Sequence, residues 1–224
     1  MRFRRFAATI PIIVLIFSSC STIRHAETLD EDEHRVGLSV GGPLFDNLGL
    51  PIPMPNVSVD YQYGITDDFS AGGAVYITPI IFGLFGMVEL DAALSLLRQN
   101  GLVPNLTVNG NIIIVTDFLD FRLYPQIGLI PSWRLAPEVL LYTGTVLFFD
   151  FFPSTEGIQD TSVVLPMFPL GVQLDLGQLS IVVELQYQMP LGSSLEKIIH
   201  FIGISDYGAL APYIGVNFSF GGDR

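Results

Sequence analysis

Ile181-Val182-Val183-Glu184-Leu185-Gln186-Tyr187-Gln188-Met189 alternates without a break, with Ile181, Val183, Leu185, Tyr187 and Met189 on one side and Val182, Glu184, Gln186 and Gln188 on the other. Successive side chains of a strand point to opposite faces, so this is a β-strand with one apolar face and one face carrying a carboxylate and two amides. Asn56 to Tyr63 repeats the pattern, setting Val57, Val59, Tyr61 and Tyr63 against Asn56, Ser58, Asp60 and Gln62. Near the end of the chain, Ile214, Val216, Phe218 and Phe220 oppose Tyr213, Gly215, Asn217 and Ser219. From Arg35 onward no helical periodicity of domain length competes with these runs. The pattern predicts strands over 35–43, 54–64, 69–78, 81–94, 104–115, 118–130, 137–149, 161–175, 179–190 and 207–220.

Composition decides what such strands face. The chain of 224 residues is 50% apolar and 14% charged, about half the charged share of a usual soluble domain. Its mean hydropathy is +0.51. A soluble sandwich must show water a charged outer face, and the charge is not there. A closed barrel in lipid needs the reverse, an apolar outside and a polar lumen. The expected fold is therefore all-β, a closed antiparallel transmembrane β-barrel of about ten strands (8–12). Candidate polar lumen residues are Asp60, Glu89, Asp91, Arg122, Glu184, Gln186 and Gln188. So few strands enclose little room, which favours a plugged or narrow interior over a wide channel.

The links agree with this reading. Gly64-Ile65-Thr66-Asp67-Asp68 and Asp175-Leu176-Gly177-Gln178 are short and turn-rich, while those around Pro51–Pro53, Pro153–Gly157 and Gly192–Ser194 are longer. With both termini on the periplasmic side, the short turns fall inside and the long loops outside. Aromatic residues gathered near predicted strand ends, Phe69, Trp133, Tyr142, Phe148, Phe149, Phe151, Phe152 and Tyr213, suit a rim at headgroup level or core packing.

The N-terminus carries Arg2, Arg4 and Arg5, an apolar run from Phe6 to Phe17, then Ser18, Ser19 and Cys20, which reads as a secretory signal over 1–19. Phe17-Ser18-Ser19-Cys20 resembles a bacterial lipoprotein signal, and the resemblance implies acylation of Cys20. Ser21 after the cysteine is similar to an outer-membrane sorting address. Removing residues 1–19 takes away three arginines and no acid, leaving 7 basic and 22 acidic residues, a formal charge of −15. Residues 20–34 hold Glu27, Asp30, Glu31, Asp32 and Glu33 and read as an acidic leader or flexible tether ahead of a barrel over 35–220, with 221–224 as a C-terminal extension.

Tyr213-Ile214-Gly215-Val216-Asn217-Phe218-Ser219-Phe220 resembles the terminal signal by which the barrel assembly machinery recognises its substrates, with Tyr213, Gly215, Phe218 and Phe220 at the marked positions. Tyr61 to Phe69 is similar to the strand-turn-strand pieces of small bacterial outer-membrane barrels. The resemblance is architectural and names no one family. It implies outer-membrane lipids and the assembly machinery as partners.

Other chemistry is sparse. A formal charge of −12 and a pI near 4.4 leave no cationic surface for nucleic acid. One cysteine and three scattered histidines give no metal-ligand spacing, and no cofactor motif is present. Gly37-Leu38-Ser39-Val40-Gly41 has the letters of a nucleophile elbow without the strand–turn–helix context. His200, Ser205 and Asp206 in the last outer loop are catalytic candidates, because some outer-membrane barrels carry serine–histidine–acid sites for lipid chemistry near their outer rim. Ser194 to Ile202 has the spacing of one amphipathic helical turn.

The leading expectation is a structural or surface-interaction role with no enzymatic activity implied. The alternatives are a narrow channel or transporter of small solutes or hydrophobic ligands, a soluble membrane-anchored β-sandwich or lipocalin-like binding lipoprotein, and an outer-membrane lipid-modifying enzyme.

Overall fold

A computed structural model describes residues 23–47, 50–81, 86–116, 121–150, 164–193 and 201–222. The signal segment 1–19, Cys20, His200 and Phe151–Phe152 lie outside the described residues.

The alternating runs form strands that pair antiparallel with their neighbours in sequence. The wall runs β1 (Glu33–Gly41), β4 (Asn56–Thr66), β5 (Phe69–Tyr76), β6 (Gly86–Leu97), β7 (Asn105–Thr116), β8 (Phe121–Ala136), β9 (Val139–Thr143) continued as β10 (Thr145–Phe149), β11 (Val164–Leu176), β12 (Leu179–Ser193) and β13 (Tyr207–Gly221). Strands β9 and β10 share partners on both sides, β8 and β11, so they form one wall position interrupted at Gly144. Closure comes from β1 and β13, which pair from Glu33 opposite Gly221 to Gly41 opposite Tyr213. The result is a closed antiparallel barrel of ten strands, and every predicted strand has its counterpart. β8 continues through Pro131 and Trp133 to Ala136, beyond its expected end.

Which face turns outward settles the solvent question. On β12, Val183 is 55% exposed and Leu185 41%, whereas Glu184, Gln186 and Gln188 are 2% exposed or less. The same alternation holds on β4 and β13. An apolar exterior around a polar interior is the inverse of a soluble sandwich, and the sandwich and lipocalin-like readings are set aside. The fold is a transmembrane β-barrel of the outer-membrane type. Among the described residues no helix is long and apolar enough to cross a membrane.

At one end of the barrel the links are short: Asp67–Asp68, Pro137–Glu138 and Gly177–Gln178, with 98–104 longer. This turn end carries a ring cluster in which His34 lies over Phe220 at 5.1 Å and beside Tyr63 at 4.9 Å. Trp133 donates its indole N–H to Leu102 O there. The loop end carries two elements absent from the expected strand list, a hairpin where loop is expected and a helical turn where Ile77, Thr78 and Ile81 are expected at the ends of strands 69–78 and 81–94. A hairpin of β2 (Leu44–Asn47) and β3 (Leu50–Pro53) follows β1, and one helical turn, α1 (Ile77–Ile81), follows β5. Phe45 bridges to Phe201, and Ile202 N–H donates to Leu44 O, so the hairpin is tied to the segment before β13. Of the expected helical turn Ser194–Ile202, residues 194–200 lie outside the described residues, and Phe201 takes part in that bridge.

The core sits in the lumen. One cluster of Ile23, Ala26, Ile130, Leu140, Tyr142, Val146, Met167, Val182, Ala211 and Tyr213 runs from its turn-end part through the middle to the level of Met167 and Ala211, opposite Gln188 and Gln186. A second cluster, Tyr76, Met87, Ile113, Tyr124 and Phe148, sits toward the loop end. Tyr142, Phe148 and Tyr213 therefore point inward instead of forming a rim, because each falls on the buried parity of its strand.

Residues 23–32 depart furthest from expectation. The segment read as a tether runs inside the barrel, with Ile23, Ala26 and Leu29 all buried. It enters at the turn end, where Asp32 N–H donates to Gly64 O and Gly222 N–H to Asp32 O. From there it rises to Ile23, which lies against Gly215 at about mid-height.

Candidate functional site

Strand parity aims a dense set of polar side chains at the axis, and the N-terminal segment lies among them. Every second residue of β7 faces in, placing Asn105, Thr107, Asn109 and Asn111 in a column. Asn109 Nδ2 donates to His25 O at 3.0 Å and Thr107 Oγ1 to Ala26 O at 2.9 Å. Ser132 Oγ and Asn105 Nδ2 also donate to Ala26 O, at 3.3 and 3.4 Å. Side chains of the wall thus satisfy carbonyls that would otherwise be stranded away from water.

Arg24 is the anchor of the segment, with a side chain 1% exposed. Its guanidinium donates through Nη2 to Gln126 Oε1 at 2.6 Å and lies 3.5 Å from Glu89 Oε1, while its main-chain N–H donates to Glu184 Oε2 at 3.1 Å. Each carboxylate has further donors. Glu89 accepts Tyr76 OH at 2.5 Å and Asn111 Nδ2. Glu184 accepts Tyr142 OH at 2.6 Å and Gln186 Nε2 at 2.6 Å, and Gln186 in turn accepts Gln188 Nε2 at 2.7 Å. Charge inside a barrel is tolerable only when paired and hydrogen-bonded in this way.

A second chain of contacts meets the segment at His25. Arg35 Nη2 donates to His25 Nδ1 at 2.6 Å and to Gln62 Oε1, and Gln62 Nε2 donates to Asp91 Oδ2 at 2.7 Å. A guanidinium can only donate, so Nδ1 is the acceptor and the His25 ring is neutral with its proton on Nε2. At the turn end Arg134 clamps Glu27 at 2.5 Å and Asp175 at 2.7 Å, fixing the segment where it enters.

Two glycines make room for this network. A Cβ on Gly171 would run into the ring of Tyr142, and its absence lets that tyrosine reach Glu184. A Cβ on Gly37 would meet the Asp60 carboxylate.

The structure sets Glu89 and Glu184 on Arg24, with Gln186 and Gln188 following Glu184 along β12, and links Asp91 to the segment through Gln62, Arg35 and His25. Asp60 is buried beside Gly37. Arg122 stands apart, half-buried near the loop end of β8 next to Tyr124. Ser205 and Asp206 form the two-residue turn between Ile204 and Tyr207, both at positive φ and exposed, so their place is explained by the turn. Tyr213 and Gly215 face the lumen, while Phe218 and Phe220 face outward. No group of three or more metal-binding side chains occurs among the described residues.

Sequence reasoning missed Arg24, Arg35, Gln126, Ser132 and the β7 column, and put Gln62 on the polar face without naming it among the candidates. The column was available from parity alone, since Asn105, Thr107, Asn109 and Asn111 alternate with Leu106, Val108 and Gly110. For the segment, the one signal is the three-residue spacing of Ile23, Ala26 and Leu29.

No family model matches the chain, and no curated protein matches it. Solved structures that resemble it include the translocator domain of the autotransporter NalP from Neisseria meningitidis, at 10% identity and a TM-score of 0.45, covering 97% of this chain and 96% of that one. The outer membrane protein Ail of Yersinia pestis overlaps at 13% identity and a TM-score of 0.38, over 85% of this chain and 100% of its own. An outer membrane channel from Pseudomonas putida F1 overlaps at 10% identity and a TM-score of 0.43, over 90% and 100%.

Proposed function

We propose that the protein resides in the bacterial outer membrane as a barrel without a standing channel, and that its role is structural or exerted through its loop-end surface. The observation that carries this reading is the filled lumen. Residues 23–29 occupy the turn-end half, and Tyr76, Met87, Ile113, Tyr124 and Phe148 pack toward the loop end. A wall of ten strands has little cross-section to spare once such side chains turn inward. The test is planar-bilayer recording of the folded full chain, identified by its altered gel migration before heating. It is expected to show no steady conductance, and a persistent open current from folded protein would refute the reading.

Two partner proposals belong with it. The assembly machinery reads β13 through Tyr213, Gly215, Phe218 and Phe220, so Phe220→Ala lowers the yield of heat-modifiable protein in the membrane fraction. Cys20 carries lipid, so metabolic labelling with palmitate marks the protein and Cys20→Ser abolishes the label. Unchanged yield, or label that persists in the serine variant, would overturn each in turn.

A further inference from the structure

The N-terminal segment is held as a groove holds a ligand, not as a sheet holds a strand. From His25 to Leu29 no main-chain to main-chain hydrogen bond to the wall occurs among the described residues. Its contacts are made through side chains: wall groups on the carbonyls of His25 and Ala26, the Arg24 anchor, Arg35 on the His25 ring, Arg134 on Glu27, and the Thr28 hydroxyl on Asp67 O. Contacts of that kind break one by one while the strands of the wall keep their pairing with one another.

The surface beneath the segment is acidic. Asp60, Glu89, Asp91 and Glu184 line the middle of the lumen, where Arg35 is the wall's own cation and Arg24 comes from the segment. Asp60 is 7% exposed, and its Oδ2 accepts no hydrogen bond among the described residues, which leaves an acceptor aimed into the lumen. Asn109 Oδ1 and Asn111 Oδ1 are in the same condition beside a small gap lined by Arg24, His25 and Asp91. Above Glu184 the polar character continues toward the loop end through Gln186, Gln188 and the Ser39–Ser58 pair at 2.6 Å, with Ser58 directly beside Tyr76 of the aromatic cluster.

We propose that residues 23–29 are a displaceable plug, latched by Arg24, and that releasing it opens a path for cations past the acidic middle of the barrel. The proposal goes beyond the sealed resting state, since it concerns what the barrel does once unlatched. With the segment gone, four carboxylates face one guanidinium in mid-lumen among the described residues, so the path attracts cations and rejects anions.

Arg24→Met alone strands Glu89 next to an apolar side chain and risks the fold. The test therefore uses full-length Arg24→Met/Glu89→Gln, which removes the ion pair as a unit, with heat-modifiable migration reporting a folded barrel. In planar bilayers under a potassium chloride gradient this variant is expected to open, with a reversal potential shifted toward that of potassium. Adding Ala26→Cys and Thr107→Cys sets a cysteine pair at two residues that approach through Thr107 Oγ1 and the Ala26 main-chain O, 2.9 Å apart, so that oxidation can tie the segment to the wall. The oxidised form is then silent, and reductant restores the current. A folded double variant that stays silent, a reversal potential shifted toward chloride, or current indifferent to the cysteine bond overturns the proposal.

Discussion

Arg24→Met is the substitution whose cost follows most directly from the lumen geometry. The guanidinium sits 3.5 Å from Glu89, hydrogen-bonds Gln126 at 2.6 Å and is 1% exposed, so methionine fills much of the volume and supplies none of the charge. Breaking a buried ion pair from one side costs about 3–5 kcal/mol, because the remaining charge has lost its counter-ion in a medium that cannot solvate it. Tyr76 and Asn111 still donate to Glu89, which places the expected loss at the low end, about 3 kcal/mol. Gln126 loses its partner and adds about 1 kcal/mol. Arg24→Met/Glu89→Gln removes both charges and should recover about 2–3 kcal/mol relative to the single variant, since a buried pair replaced as a unit is often near neutral. Urea unfolding in lipid vesicles, followed through the single tryptophan, Trp133, gives the midpoint and slope. A loss below about 1 kcal/mol for Arg24→Met, or a double variant no more stable than the single, would refute the placement of Arg24 against Glu89.

Other positions test other parts of the structure. Leu185→Lys puts a charge on the lipid face near the middle of β12 and should cost about 2–4 kcal/mol in vesicle unfolding, whereas a soluble sandwich would tolerate it in detergent-free buffer. Tyr142→Phe removes one of the donors to Glu184 and should cost about 1–3 kcal/mol by the same assay, with folded yield unchanged. Gly171→Ala forces Tyr142 off Glu184 and should be at least as damaging; a neutral result would contradict the close approach of that ring. Ser205→Asn/Asp206→Gly suits the positive φ angles of both turn positions and should stabilise by about 0.5–1 kcal/mol, where a catalytic pair would instead show a lost activity.

The wall was legible because its signal is repeated and local. Val57 to Tyr63 and Ile181 to Met189 each declare two faces, and Gly177–Gln178 or Asp67–Asp68 close the hairpins between strands. Orientation of the aromatic residues was legible too, but only through parity. Tyr213 shares a face with Gly215 and Asn217 in the middle of β13, so parity turns it inward. The β2–β3 hairpin was hidden by Pro43, Pro51 and Pro53, which read as loop although an isolated two-strand ladder tolerates them at its edge. The lumen plug was hidden by composition. Five acids in residues 27–33 mark a solvated tether, yet Glu27 is taken up by Arg134 and Asp32 by Tyr63, both at the turn end. What enters the barrel is the less acidic stretch before them, and its pairing with Glu89 and Glu184, some 65 and 160 residues away, leaves no trace in local sequence.

The account turns on the N-terminal segment lying inside a closed membrane barrel, and a cysteine pair reads that placement directly. Ser132 Oγ lies 3.3 Å from Ala26 O, on a strand 106 residues away in sequence. In membranes holding the folded Ala26→Cys/Ser132→Cys protein, mild oxidation followed by proteolysis and mass spectrometry should yield one linked peptide containing both positions, with neither cysteine open to a bulky maleimide beforehand. Two freely labelled cysteines and no linked peptide, from protein that still migrates as a folded barrel, would contradict it.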